Sequence, residues 1–316
     1  MPDQMEQDII GGLSQTPKRL SSKYFYDDKG SALFTEIMRL KEYYLTDCEY
    51  EIFSTQKQDI LNTFSDGGDE FEIVEFGAGD GFKTKILIEH FLNQKANFVY
   101  APVDISKAAV ENLANALHNK FPALAVEAVH DDYFNALKTL NKSNKSRKIV
   151  LFLGANIGNY GNEQAIDFLS SIRKNLQPND LLMIGFDLRK NPKEILGAYN
   201  DSLGVTKAFN LNLLERINRE LGANFDRSNF DHYPTYDPVS GEARSYIVSL
   251  KDQNVYFESS DSTIHFDQWE YIHTEISKKY SLSEIETLGQ KAGFKVSKHF
   301  LDCRHYFVDT VFSPLE

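Results

Sequence analysis

The stretch Phe-Glu-Ile-Val-Glu-Phe-Gly-Ala-Gly-Asp-Gly-Phe-Lys-Thr at residues 71–84 constrains the fold more than any other part of the chain. An apolar run of strand character ends in Gly77, Gly79 and Gly81, and a helical pattern starts at once at Thr84. Glycines at a strand-to-helix turn let the backbone approach a ligand and take φ values that other residues resist. The spacing narrows the ligand. A dinucleotide fingerprint needs G-x-G-x-x-G around a pyrophosphate. Here Phe82 stands five positions after Gly77, and the third glycine comes one residue early. The turn therefore favours a nucleoside ligand without a pyrophosphate, of which S-adenosylmethionine is the commonest.

A second apolar strand, 98–104, ends in Asp104, where a carboxylate is placed to accept from two ribose hydroxyls. The alternative for an isolated acid there is a helix cap or a surface carboxylate. Asp132 and Tyr133 fall where a third strand, 123–130, should end, and are expected to hold the adenine by a carboxylate contact and a stacked ring. Further strands are expected at 149–154 and 181–187, with helices between, including 106–120 and 162–176. Strands separated by helices imply crossover units and a parallel sheet with helices on both faces. The polar run 141–148 is expected to be a surface loop.

After Arg189 the texture changes. A long helix is expected at 205–221, then a turn-rich stretch at 233–241, strands at 243–250 and 255–258, and a segment around Trp269. The last forty residues return to the first pattern, with a capping box at Ser281 and Glu284, a helix ending at Gly293, and strands at 295–301 and 306–312. Such a closing pair completes the seven-stranded, Rossmann-like α/β core of class I methyltransferases. The expected division is a core of 54–189 plus 278–316 and a second α+β, substrate-binding domain of 1–53 plus 190–277.

Composition sets the outer limits. The chain has 316 residues, 41% hydrophobic and 13% aromatic, enough for a sizeable core. A net charge of −12 argues against a nucleic-acid partner, which calls for a basic patch. Two cysteines far apart, Cys48 and Cys303, point to reduced thiols and a cytoplasmic protein. The acidic start shows no signal peptide, and no apolar run approaches membrane length. The histidines show neither H-E-x-x-H nor Cys/His ligand spacing, so no metal is expected.

Several segments together resemble one family, the histidine Nα-methyltransferases of ergothioneine biosynthesis. They are residues 17–34, Glu42-Tyr-Tyr-Leu-Thr46, Phe152-Leu-Gly-Ala-Asn-Ile-Gly-Asn159, and residues 204–212, 218–226 and 273–280. They span nearly the whole chain in the family order. The resemblance implies an enzyme that takes S-adenosylmethionine as methyl donor and a small amino acid, L-histidine, as acceptor; a monomer that uses neither nucleic acid nor membrane is expected. It assigns Asn159 and Tyr199 to the α-carboxylate and α-amino group. Tyr43, Glu275 and Ser277 are assigned to the imidazole ring, and Tyr26 to a loop over the substrate. On the cofactor side it matches Gly77, Gly79, Lys83, Asp104, Asp132 and Tyr133. One position departs: Ser245 stands where the family has a methionine beside the ring, so the wall there should be smaller and more polar.

Other readings make distinct demands. A nicotinamide dehydrogenase is opposed by Phe82. A base methyltransferase calls for Asn/Asp-Pro-Pro-aromatic after the fourth strand, where residues 154–160 read Gly-Ala-Asn-Ile-Gly-Asn-Tyr. An enzyme for a tryptophan- or tyrosine-like substrate would have less use for Glu275 and Ser277. A cofactor-binding protein without catalysis would keep the glycine turn but need not keep Asn159, Tyr199 and Glu275.

Overall fold

The computed structural model describes residues 4–65, 70–143 and 146–315. Strands in chain order are β1 (Lys18–Arg19), β2 (Glu70–Phe76), β3 (Asn97–Asp104), β4 (Ala125–Val126), β5 (Val129–His130), β6 (Arg147–Phe152) and β7 (Leu181–Asp187). There follow β8 (Phe230–Asp237), β9 (Glu242–Ser249), β10 (Gln253–Phe257), β11 (Ser262–Phe266), β12 (Tyr271–Lys278), β13 (Phe294–Leu301) and β14 (Phe307–Pro314). The chain divides into two compact units, 1–44 with 190–278 and 45–189 with 279–316. The division expected at 53/54 falls inside the helix Tyr44–Ser65, whereas the units part at that helix's first residue.

The larger unit is a sheet in the order β13-β14-β7-β6-β2-β3-β4, with β5 also paired to β3. Strands β2, β3, β6 and β7 run parallel, and β14 and β13 close the edge antiparallel. Central parallel strands are covered on both faces, which is why β2, β6 and β7 are almost continuously buried. The acids within them are matched: Glu72 lies opposite Lys148 in the ladder and pairs with it at 3.4 Å. The third strand is broken into β4 and β5, two residues each, at the edge of the sheet. Its low apolar content gives it little to bury, and Glu127 between the two pieces still donates its N–H to Tyr100 O. The loop expected at 141–148 is also shorter. The helix Tyr133–Ser143 runs into it and β6 begins at Arg147, while residues 144–145 lie outside the described residues.

The smaller unit is a sheet in the order β1-β12-β9-β8, with β10 and β11 as a separate hairpin. The helix Val205–Leu221 contributes Phe209, Leu213, Leu214 and Ile217 to a core shared with Ile247, Phe257, Phe266 and Ile272. The stretch expected to be turns from residue 233 is largely strand, with Pro234 inside β8. Proline is tolerated there because β8 is an edge, where a missing donor costs no ladder bond. Only residues after Asp237 turn, through Gly241 at φ 77°. Trp269 lies just before β12 at φ 70°, not in a strand.

Candidate active site

In the larger unit the expected cofactor residues gather at the carboxyl ends of the parallel strands. The sheet reverses its winding at β2, which has β3 on one side and β6 on the other; such a switch point leaves a crevice for a ligand. Gly77, Gly79 and Gly81 all take positive φ, 65°, 55° and 65°. A Cβ on Gly79 would meet nothing within 4 Å, so open space lies against the turn. Gly77 is closed on its other side, with the Tyr133 hydroxyl 3.1 Å from where a Cβ would stand. The Tyr133 ring stacks on Phe76 at 4.5 Å and 6°. Burial first, and the nearby Asp104 charge second, push that hydroxyl up to about 12. Gly77, Tyr133 and Asp104 thus converge at the ends of β2 and β3.

Asp104 accepts the Ser106 N–H at 2.8 Å through Oδ1. Asp132 accepts the N–H groups of Phe134 and Asn135 at 3.0 Å each and the Asn135 amide at 2.5 Å, so it caps the helix that Tyr133 opens. Asn159 is exposed at the end of a one-turn helix after β6, which the chain enters through Gly154 and Ala155, both at positive φ. Lys83 pairs with Glu49 of the helix Tyr44–Ser65. Glu49 is fully buried and also accepts the Gly154 N–H at 2.8 Å. Glu75, at the end of β2, accepts Thr84 Oγ1 at 2.8 Å and Tyr100 OH at 2.6 Å, and burial pushes its carboxyl up to about 7.

In the smaller unit a β-bulge decides which residues face inward. His273 pairs with Tyr246 but Glu275 pairs with Ser245, so Thr274 is the extra residue in β12. Without the bulge Glu275 would sit opposite Arg244 on the outer face; one inserted residue reverses the phase. Glu275 and Ser277 then share the inner face with Ser245 and Ala243. Thr274 is anchored by its hydroxyl, which donates to Ser245 O at 3.0 Å and lies 3.2 Å from Asn210 Oδ1. Ser245 is fully buried, its Oγ 3.4 Å from Glu275 Oε2. Tyr26 comes to the same place although the residue as a whole is 48% exposed: desolvation at its hydroxyl, then the charges of Glu275 and Tyr199, push that hydroxyl up. The Tyr26 ring meets Phe34 at 5.5 Å and Phe209 at 5.8 Å, and Phe34 meets Tyr43 at 6.2 Å, all edge-on. Tyr199 is buried at the last turn of the helix Pro192–Tyr199.

Ser245, Glu275 and Ser277 therefore share one face of the smaller unit's sheet, with Tyr26 close to Glu275 and Tyr199 and joined to Tyr43 through Phe34. Gly77, Gly79, Lys83, Asp104, Asp132, Tyr133 and Asn159 lie at one end of the larger unit's sheet. Sequence reasoning overlooked Glu49, Asp309, Thr274 and Asn210. Two of them carried a signal. Leu45, Cys48, Ile52 and Phe53 form a buried stripe at helical spacing, and Glu49 falls inside it. Asp309 interrupts the apolar run 307–312.

Among the described residues no helix is long and apolar enough to cross a membrane. Residues 5–314 match a family model described as histidine-specific methyltransferase, SAM-dependent. The chain is similar to the histidine N-alpha-methyltransferase of Mycolicibacterium smegmatis, 32% identical over 298 residues, covering 94% of this chain and 91% of that one. A second relative of that name, from Mycobacterium tuberculosis, is 32% identical over 87% of this chain and 84% of its own. Ergothioneine biosynthesis protein 1 of Schizosaccharomyces pombe is 30% identical over 91% of this chain, which matches 38% of that longer protein. A match over almost the entire length, with glycine turn and inward acid both in place, makes this chain a member of the histidine-specific, S-adenosylmethionine-dependent methyltransferase family.

Proposed function

We propose that the protein transfers methyl groups to the α-amino nitrogen of L-histidine, in up to three steps, ending in the trimethylated betaine. The observation that carries the reading is the inward carboxylate of Glu275, set across the ladder from Ser245 and beside Tyr26. Such a group accepts an imidazole N–H, and a side chain lacking that donor would leave it buried without its partner.

The residues at the carboxyl ends of β2 and β3 fit a nucleoside. Gly79 has open space before it, Asp104 offers a carboxylate with one oxygen free of its turn bond, and Tyr133 backs the turn. Bound there, S-adenosylmethionine supplies an activated methyl on a sulfonium. What remains for the protein is positioning, which contributes as much as about 7–11 kcal/mol in favourable systems. The Tyr199 hydroxyl and the Asn159 amide are suited to the amino and carboxylate ends of the amino acid, and Tyr43, Glu275 and Ser277 to the ring. The reacting amine must be neutral, and water is the simplest acceptor for its proton; no strong base stands among the assigned residues. The two free cysteines fit a cytoplasmic protein, and the acidic chain fits a small-molecule substrate better than nucleic acid.

The test is direct. The protein is incubated with S-adenosylmethionine and each amino acid in turn, and products are followed by mass for gains of one, two and three methyl groups. Histidine is expected to pass through all three. Methylation of another amino acid with none on histidine would overturn the substrate assignment.

A further inference from the structure

Behind the glycine turn lies a group of buried charges that the methyl-transfer chemistry leaves unused. Glu49 reaches from its helix to the ends of β6 and β7, where Gly185 makes room: a Cβ there would stand 2.5 Å from Glu49 Oε1. Its carboxylate holds the Gly154 N–H at 2.8 Å and the Lys83 ammonium. Lys83 Nζ in turn lies 3.5 Å from where a Cβ on Gly154 would be. Asp309, the ladder partner of Gly185, is fully buried. Among the described residues neither of its oxygens receives a hydrogen bond from any donor. The groups facing Lys83 are thus Glu49 from its helix, Asp309 from β14 and Glu75 from β2, and Glu75 is already satisfied by Tyr100 and Thr84.

Two carboxyl groups together in a desolvated site do not both ionise beside one ammonium. Burial, and then the charge of Glu49, push the Asp309 carboxyl well above the usual range, which favours its neutral form and so an O–H to offer Glu49. Burial alone would lower Lys83, but the charge and hydrogen bond of Glu49 override it and hold the ammonium above its ordinary value.

We propose that Glu49, braced by Asp309 and the Gly154 amide, is a positioning residue that keeps Lys83 charged and fixed beside the glycine turn to receive the cofactor's one anionic group, its amino-acid carboxylate. The proposal rests on the reading of Lys83 as a cofactor contact. Its consequence is a specific pH dependence. Stripped of Glu49's charge, a mostly buried lysine loses its proton more readily, so cofactor binding should weaken progressively as pH rises.

Calorimetric titration with S-adenosylhomocysteine, which keeps the carboxylate, tests this in the wild type, Glu49→Gln, Asp309→Leu and Asp309→Asn. Glu49→Gln should bind about tenfold more weakly at neutral pH, the size expected for losing a hydrogen bond to a charged group, and the ratio to wild type should widen toward about pH 8.5. Asp309→Leu should weaken binding, and Asp309→Asn should rescue it, because an amide donates where the acid's O–H did. If Asp309→Leu does not fold, the comparison of Glu49→Gln with Asp309→Asn still decides. A wild type that binds, with a Glu49→Gln ratio constant across pH or an Asp309→Asn as weak as Glu49→Gln, overturns this proposal alone. A wild type that fails to bind overturns the cofactor reading and this proposal with it.

Discussion

A carboxylate beside an imidazole does two things: it accepts the ring N–H, and it penalises any ring that lacks one. Glu275 is half-buried on the inner face of β12, with Ser245 opposite and Tyr26 close enough to feel its charge. Replacing it with alanine removes that acceptor, and Glu275 belongs to the smaller unit while the glycine turn belongs to the larger. Glu275→Ala should therefore raise the KM for histidine by about 10–100-fold, as for a lost hydrogen bond to a charged group, and leave S-adenosylhomocysteine affinity within about twofold. Steady-state kinetics and a binding titration check the two halves, and equal losses in both would refute the assigned role. Glu275 was legible only through the resemblance, since an isolated glutamate in a strand is ordinarily solvated. What turns it inward is Thr274, and nothing in the residues 273–277 announces that one of them is supernumerary. The requirement is tertiary: the Thr274 hydroxyl needs Ser245 O and Asn210, which lies sixty-four residues away.

Elements were legible where the pattern is local. The box at Ser281 and Glu284 closes in both directions, Ser281 N–H to Glu284 Oε2 at 2.8 Å and Glu284 N–H to Ser281 Oγ at 3.2 Å. Glu284 also takes the Arg189 guanidinium at 2.9 Å through each oxygen. Ser281→Ala removes one of the helix's few end acceptors while leaving the Arg189 pair intact. It should cost about 1 kcal/mol, a fall of about 2–4 °C in melting temperature for a unit of this size. Thermal denaturation followed by circular dichroism measures it, and an unchanged midpoint would mean the cap carries no weight. Elements failed to be legible where neighbours decide. β8 reads as turns because of Pro234, yet an edge position makes proline harmless. The segment 123–130 reads as one strand, yet at the outer margin of the sheet only four of its residues pair with β3.

Over the whole molecule, the two units carry opposite kinds of displaced charge. In the larger unit burial pushes Glu75 up to about 7 and shifts Glu72, Asp180 and Asp309 upward as well. In the smaller unit burial pushes His232 down to about 4 and lowers His273. There too, against the pull of burial, hydrogen bonds hold Asp27 and Asp201 below the usual carboxylate range. The signs follow from which state binds the proton more tightly. Folded Glu75 holds its proton more tightly than the unfolded chain, whose value is near 4.5, so stability is lost as pH rises from there to about 7. For His232 the unfolded chain, near 6.5, binds more tightly, so its contribution is complete above 6.5 and is lost as pH falls toward 4. His90 and His299 are lowered by burial and oppose the trend in the larger unit, but four acids stand against them. Each effect amounts to on the order of 2 kcal/mol between about pH 7 and 5. Acidification over that range should therefore reduce hydrogen-exchange protection in β8 and β9 while raising it in β2 and β3, once intrinsic exchange rates are corrected. Glu75→Gln should abolish most of the gain in β2 and β3 and leave the loss in β8 and β9 untouched. Exchange mass spectrometry on the two proteins separates these outcomes; protection moving the same way in both sheets would show that the buried acids and histidines do not govern how each unit responds to pH.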